Sequence, residues 1–125
     1  MRVLATALFA VVAFSVPQAG SAEPMTGAEL KALLEGGREI SLGGEGTGYS
    51  GKLQLNADGT GNGTAQTDDK KANFVMNGTW RIEGDQFCRI WKELSEGKEV
   101  CETWDKDGDK INVMVDGKQI GTNRL

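Results

Sequence analysis

Histidine is absent from this 125-residue chain, aromatic residues make up only 6% of it, and cysteine and proline occur twice each. Each scarcity excludes something. Without an imidazole, Ser–His and Cys–His nucleophile pairs cannot be built. The serines beyond the N-terminal region, Ser41, Ser50 and Ser95, have no nucleophile-elbow context. Carboxylate pairs could be assembled from the 18 acidic side chains, but no spacing selects one. No catalytic residue and no cofactor is therefore expected. Two thiolates without histidine do not close a zinc site, so no metal is expected either. Clusters of basic residues are also missing, which argues against a membrane-surface partner. The net charge is −4, and Arg2 is the one charged residue among the first 22, leaving −5 on residues 23–125. An acidic surface repels phosphate backbones, so nucleic acid is not an expected partner.

The chain has one long apolar run, Val3 to Val16, preceded by Met1-Arg2 and broken by Pro17. It is short for a membrane span. The small residues Ala19-Gly20-Ser21-Ala22 follow it and suit signal-peptidase cleavage. Residues 1–22 thus read as a signal peptide and 23–125 as a single domain, periplasmic or secreted, with no membrane span after cleavage. In that compartment Cys88 and Cys101 are expected to form a disulfide. Closing their loop contributes on the order of 3 kcal/mol.

What is abundant is glycine, 18 residues, much of it at turn positions. Thr26-Gly27-Ala28-Glu29 has capping-box spacing, and Leu30, Leu33 and Leu34 then make one apolar stripe before Gly36-Gly37. A short helix of about nine residues is predicted, too short to be stable unless it packs against a sheet. Beyond it the apolar period changes from roughly 3.6 to 2. Tyr49, Gly51, Leu53 and Leu55 alternate with polar residues, and Asp58-Gly59, Glu83-Gly84, Asp107-Gly108 and Asp116-Gly117 supply turns. Calcium-loop spacing across Asp105, Asp107 and Asp109 is better explained as a hairpin, since the glycine falls fourth rather than sixth.

Treating each pair as the two central turn residues sets Trp80 opposite Phe87, Trp104 opposite Ile111 and Val113 opposite Ile120. The disulfide sets Cys88 opposite Cys101 and Phe87 opposite Glu102. One apolar face results, including Phe74, Met76, Trp80, Phe87, Trp91, Trp104, Ile111, Val113 and Ile120. The expected fold is mainly β: an antiparallel up-and-down meander of about eight strands, closed into a small barrel or left as a half-barrel, with one short N-terminal helix.

This register places Arg89 and Glu102 on the inner face as diagonal neighbours, with Thr122 and Arg124 on the same side. A buried, unpaired guanidinium costs several kcal/mol, on the order of the desolvation of a charge. Arg89 therefore needs Glu102, a ligand group or solvent. Two readings stay open: a structural ion pair at the barrel mouth, or a cavity whose arginine receives a polar group of a bound molecule. Trp91, near the end of its hairpin, is expected to be the most exposed of the three tryptophans. The glycine-rich strand 61–63 either leaves space inside or simply permits a barrel corner. The candidate ligand-binding residues are Arg89, Glu102, Trp91 and Arg124.

The segments Gly78-Thr79-Trp80-Arg81-Ile82, Phe87-Cys88-Arg89-Ile90-Trp91 and Cys101-Glu102-Thr103-Trp104, with the opening Thr26–Leu34 and the Ala57-Asp58-Gly59-Thr60 turn, resemble a family of small exported β-domain proteins of alphaproteobacteria. Its pattern is a glycine-x-tryptophan strand followed by two spaced cysteines. The resemblance implies a periplasmic β-domain and carries no activity and no catalytic residues. The function expected is binding, of a small amphiphile or an envelope component. The alternative is a protein-interaction domain of the envelope, such as a hydrolase inhibitor.

Overall fold

A computed structural model describes residues 22–125, so the expected signal peptide lies outside the described residues but for Ala22. Helix α1 (Gly27–Leu34) begins as its capping box requires. Thr26 Oγ1 accepts a hydrogen bond from the Glu29 amide at 3.1 Å, and Glu29 Oε1 accepts one from the Thr26 amide at 3.2 Å. The helix stops where Gly36 and Gly37 take φ of +83° and +91°. Leu30 and Leu34 are fully buried in the main core, which supplies the packing so short a helix needs.

Among the described residues nine strands carry the rest: β1 (Glu23–Pro24), β2 (Arg38–Gly43), β3 (Tyr49–Leu55), β4 (Thr60–Thr67), β5 (Asn73–Glu83), β6 (Gln86–Trp91), β7 (Glu99–Asp107), β8 (Lys110–Val115) and β9 (Lys118–Arg124). From β2 to β9 each strand pairs antiparallel with the next, and β9 pairs back onto β2. The eight strands therefore form a closed barrel rather than a half-barrel. The short β1 adds to β7 at Asp105 and Lys106, beyond the stretch of β7 that β6 occupies. Among the described residues, no helix is long and apolar enough to cross a membrane.

The turns obey the glycine rule but not at the expected offset. In both the β5–β6 and β7–β8 hairpins the glycine is the first central residue, giving turns Gly84-Asp85 and Gly108-Asp109. Gly84 and Gly108 have φ of +57° and +66°, and a type II′ turn wants glycine there. Trp80 consequently faces Arg89, not Phe87, and Trp104 faces Val113, not Ile111. Each correction is a slip of two residues, which leaves every side chain on its expected face. The first of these turns touches the helix: the Gly27 amide donates to Asp85 Oδ1 at 2.7 Å, and a Cβ on Gly27 would meet the Gly84 carbonyl oxygen at 2.0 Å. The helix is thereby seated on the β5–β6 turn and closes that end of the barrel.

The β8–β9 turn is Asp116-Gly117 as read, both residues at positive φ. A bulge at Val113/Met114 then changes the pairing, so Val113 lies opposite Gly121 rather than Ile120. Here the slip is one residue, and it reverses the faces of the end of β9. Asn123, paired with Ile111 and Leu42, turns inward. Arg124, paired with Lys110 and Ser41, turns outward.

The disulfide joins Cys88 and Cys101, directly opposite each other on β6 and β7. Glu99 lies near both sulfurs, but the cysteines are bonded to each other and offer no thiolate to a metal.

Candidate functional site

The up-and-down order sends alternate connections to opposite ends. The helix covers the end bearing the β3–β4, β5–β6 and β7–β8 turns. The other end is rimmed by residues 44–48, 68–72, 92–98 and 116–117. A cavity of about 340 Å³ lies inside the barrel toward this rim. That volume is at the small end of ligand sites, which run from about 300 to 1,000 Å³. Leu53, Ala65, Met76, Phe87 and Trp104 form apolar walls, and Phe74, Leu94 and Ile120 stand at the mouth. Phe74 and Ile120 are 41% and 51% exposed, an unusual cost for large apolar side chains on a small domain.

Arg89 and Glu102 project into this cavity from β6 and β7. They are only 7% and 6% exposed. Arg89 Nε donates to Glu102 Oε2 at 2.9 Å, and Trp104 Nε1 donates to Glu102 Oε1 at 3.0 Å. Both carboxylate oxygens are thus occupied. The guanidinium is not: Arg89 Nη1 is buried, and among the described residues no group accepts a hydrogen bond from it. Burial pushes the Glu102 carboxyl above its ordinary range, while the Trp104 N–H and the Arg89 charge pull it back. Arg89 and Glu102 are the charged residues lining the cavity, and their charges cancel. The other polar groups at its wall are Tyr49, whose hydroxyl accepts from the Thr122 amide at 2.9 Å, and Asn123.

Of the four residues singled out in the sequence, the fold brings Arg89, Glu102 and Trp91 to the cavity wall. Arg124 is not with them. Its Nε donates to the Gly43 carbonyl at 3.1 Å on the outer side of the β2–β9 seam. Trp91 is 3% exposed, whereas Trp80 is the partly exposed tryptophan, its Nε1 donating to the Asn56 and Thr60 carbonyls. The space above Gly61 is not empty either. A Cβ there would meet Trp91 Cη2 at 2.8 Å, and one on Gly63 would meet the Lys52 carbonyl oxygen at 2.4 Å. These glycines accommodate the Trp91 ring and close strand packing; the cavity lies elsewhere, over Ala65 and Met76.

Tyr49 and Asn123 had no motif to mark them. The alternation through Leu53 and Leu55 already puts Tyr49 on the inner face, while Asn123 depends on the β-bulge. Set against models of protein families, curated proteins and solved structures, the chain matches none of them.

Proposed function

We propose that this protein is a non-enzymatic, extracytoplasmic binding domain that holds a small amphiphilic molecule in its barrel, with a polar group of the ligand against Arg89. One observation carries the reading: a buried guanidinium at the wall of a largely apolar cavity, with a nitrogen that no described group satisfies. A buried donor left without a partner costs roughly 1–3 kcal/mol, and more for a charged group. A purely structural ion pair has no use for that cost. An acceptor brought in by a ligand removes it. The exposed Phe74 and Ile120 at the mouth support the same reading, since an apolar ligand enters past them. The cross-strand disulfide supports a location outside the reducing cytosol.

The test is native mass spectrometry of the protein purified from a bacterial periplasm, compared with its denatured mass. The expected result is a non-covalent excess mass that disappears in the Arg89→Leu/Glu102→Leu variant. A clean native mass, together with no change in Trp91 fluorescence or backbone NMR shifts on adding short-chain amphiphiles, sinks the proposal. It would turn attention to a protein partner for the rim.

A further inference from the structure

The charge balance of the cavity narrows the class of ligand, an argument that rests on the binding reading above. We infer that the cavity selects a neutral head group carrying a hydrogen-bond acceptor, such as an amide or ester carbonyl, and discriminates against an anion of the same shape. An arginine in a pocket ordinarily invites a carboxylate or phosphate. Here the positive charge is already used. Glu102 Oε2 sits 2.9 Å from Arg89 Nε, and among the described residues no other charged side chain lines the cavity. The cavity is otherwise walled largely by apolar side chains, Phe87, Met76, Trp91 and Trp104 among them, and the pair itself is buried, so a charge added beside it is poorly solvated.

An entering carboxylate would share Arg89 with Glu102 and leave one negative charge uncompensated in this surrounding. Desolvating such a charge is strongly unfavourable, since an unpaired buried ion loses its hydration without compensation. A neutral carbonyl avoids that cost and still accepts from the guanidinium. The apolar walls take its hydrocarbon tail. At about 30 Å³ for each water-sized group, the cavity holds roughly ten heavy atoms, the size of an eight-carbon amide.

Octanamide and octanoate are the matched probes, titrated at pH 7.5 into the full domain and followed by backbone NMR shifts of the cavity strands. Octanamide is expected to bind at least tenfold tighter. In Glu102→Gln the pair becomes a lone cation, the introduced amide carbonyl can still accept from Trp104, and the preference is expected to reverse toward octanoate. If that variant does not fold, the wild-type ratio decides alone. Equal affinities, or tighter binding of octanoate to the wild type, overturn the inference and leave the cavity reading standing. Absence of binding by either probe, with no shift at any cavity residue, overturns the binding reading itself and the inference with it.

Discussion

At the scale of single residues, Arg89 and Glu102 decide most of what is distinctive. Removing one partner strands the other in an apolar wall, which for buried pairs costs about 3–5 kcal/mol. Arg89→Leu is therefore expected to lower the unfolding free energy by about that much near neutral pH, as read by urea denaturation. The loss should shrink as the pH falls, because a lone Glu102 escapes the penalty by taking up a proton. Arg89→Leu/Glu102→Leu should recover most of the stability. A double variant as damaged as the single one would mean that the pair's geometry, not its charge, is needed.

Glu102 also sets a pH signature in the intact protein. Its folded pKa is raised above the ordinary value of 4.5, chiefly by burial. The folded state then binds more protons than the unfolded state between those two values. Stability from this group is present at low pH and lost as pH rises from 4.5 through the folded pKa. Glu102→Gln should remove this falling component from the stability–pH profile. Exposed Asp58 and Asp69 are shifted the opposite way by hydrogen bonds from Thr60 and from Lys71 and Thr67. They contribute stability above their unfolded pKa that is lost on acidification. The difference between wild type and Glu102→Gln isolates the buried carboxyl from them.

At the scale of elements, the hairpins and the helix hold one another in register. Gly78 lets β5 approach β6: a Cβ there would lie 1.7 Å from the Ile90 carbonyl oxygen and 3.2 Å from Trp91 Cε3. No side-chain rotation relieves a clash with backbone, so Gly78→Ala should destabilise by about 2 kcal/mol or more and disturb Trp91 fluorescence, overpacking typically costing 1–3 kcal/mol. The Cys88–Cys101 bond ties β6 to β7 beside Arg89 and Glu102, each of which directly follows one of the two cysteines. Cys88→Ala/Cys101→Ala is expected to cost about 3 kcal/mol. If the candidate cavity depends on this hairpin, amphiphile binding should weaken in the reduced protein as well. The start of the helix is held by a local cap as well as by its packing. Thr26→Ala removes the side chain that accepts from the Glu29 amide and should cost about 1 kcal/mol.

At the scale of the whole molecule, closure of the barrel is uneven. β3 and β4 pair over seven residues, as do β4 and β5, but β2 and β9 meet at two, Ser41↔Arg124 and Leu42↔Asn123. Few ladder hydrogen bonds hold that seam, so local opening there should require less free energy than elsewhere. Native-state hydrogen exchange is expected to show β9 and the end of β2 less protected than β4 and β5. Uniform protection around the barrel would refute this. Tyr49 and Asn123, at the cavity wall beside the seam, place the weakest closure next to the proposed entrance.

Much of this architecture was determined by the sequence alone, because its signals are local. The capping box acts over three residues, alternation assigns strand faces over two, and a glycine with positive φ announces a turn wherever it falls. Even the two misplaced turns preserved the inner face, since a two-residue slip conserves parity. That is why Arg89 and Glu102 were legible as inward-facing neighbours, and Cys88 and Cys101 as partners. Three things were settled only in the tertiary structure. The seating of the helix on the Gly84-Asp85 turn joins residues 58 apart, Asp85 accepting from the Gly27 amide. The bulge at Val113/Met114 sends Asn123 inward and Arg124 outward. The location of the cavity depends on Trp91 filling the space over Gly61. Each arises from how distant surfaces meet when the sheet closes, and the spacing of residues along the chain does not encode that meeting.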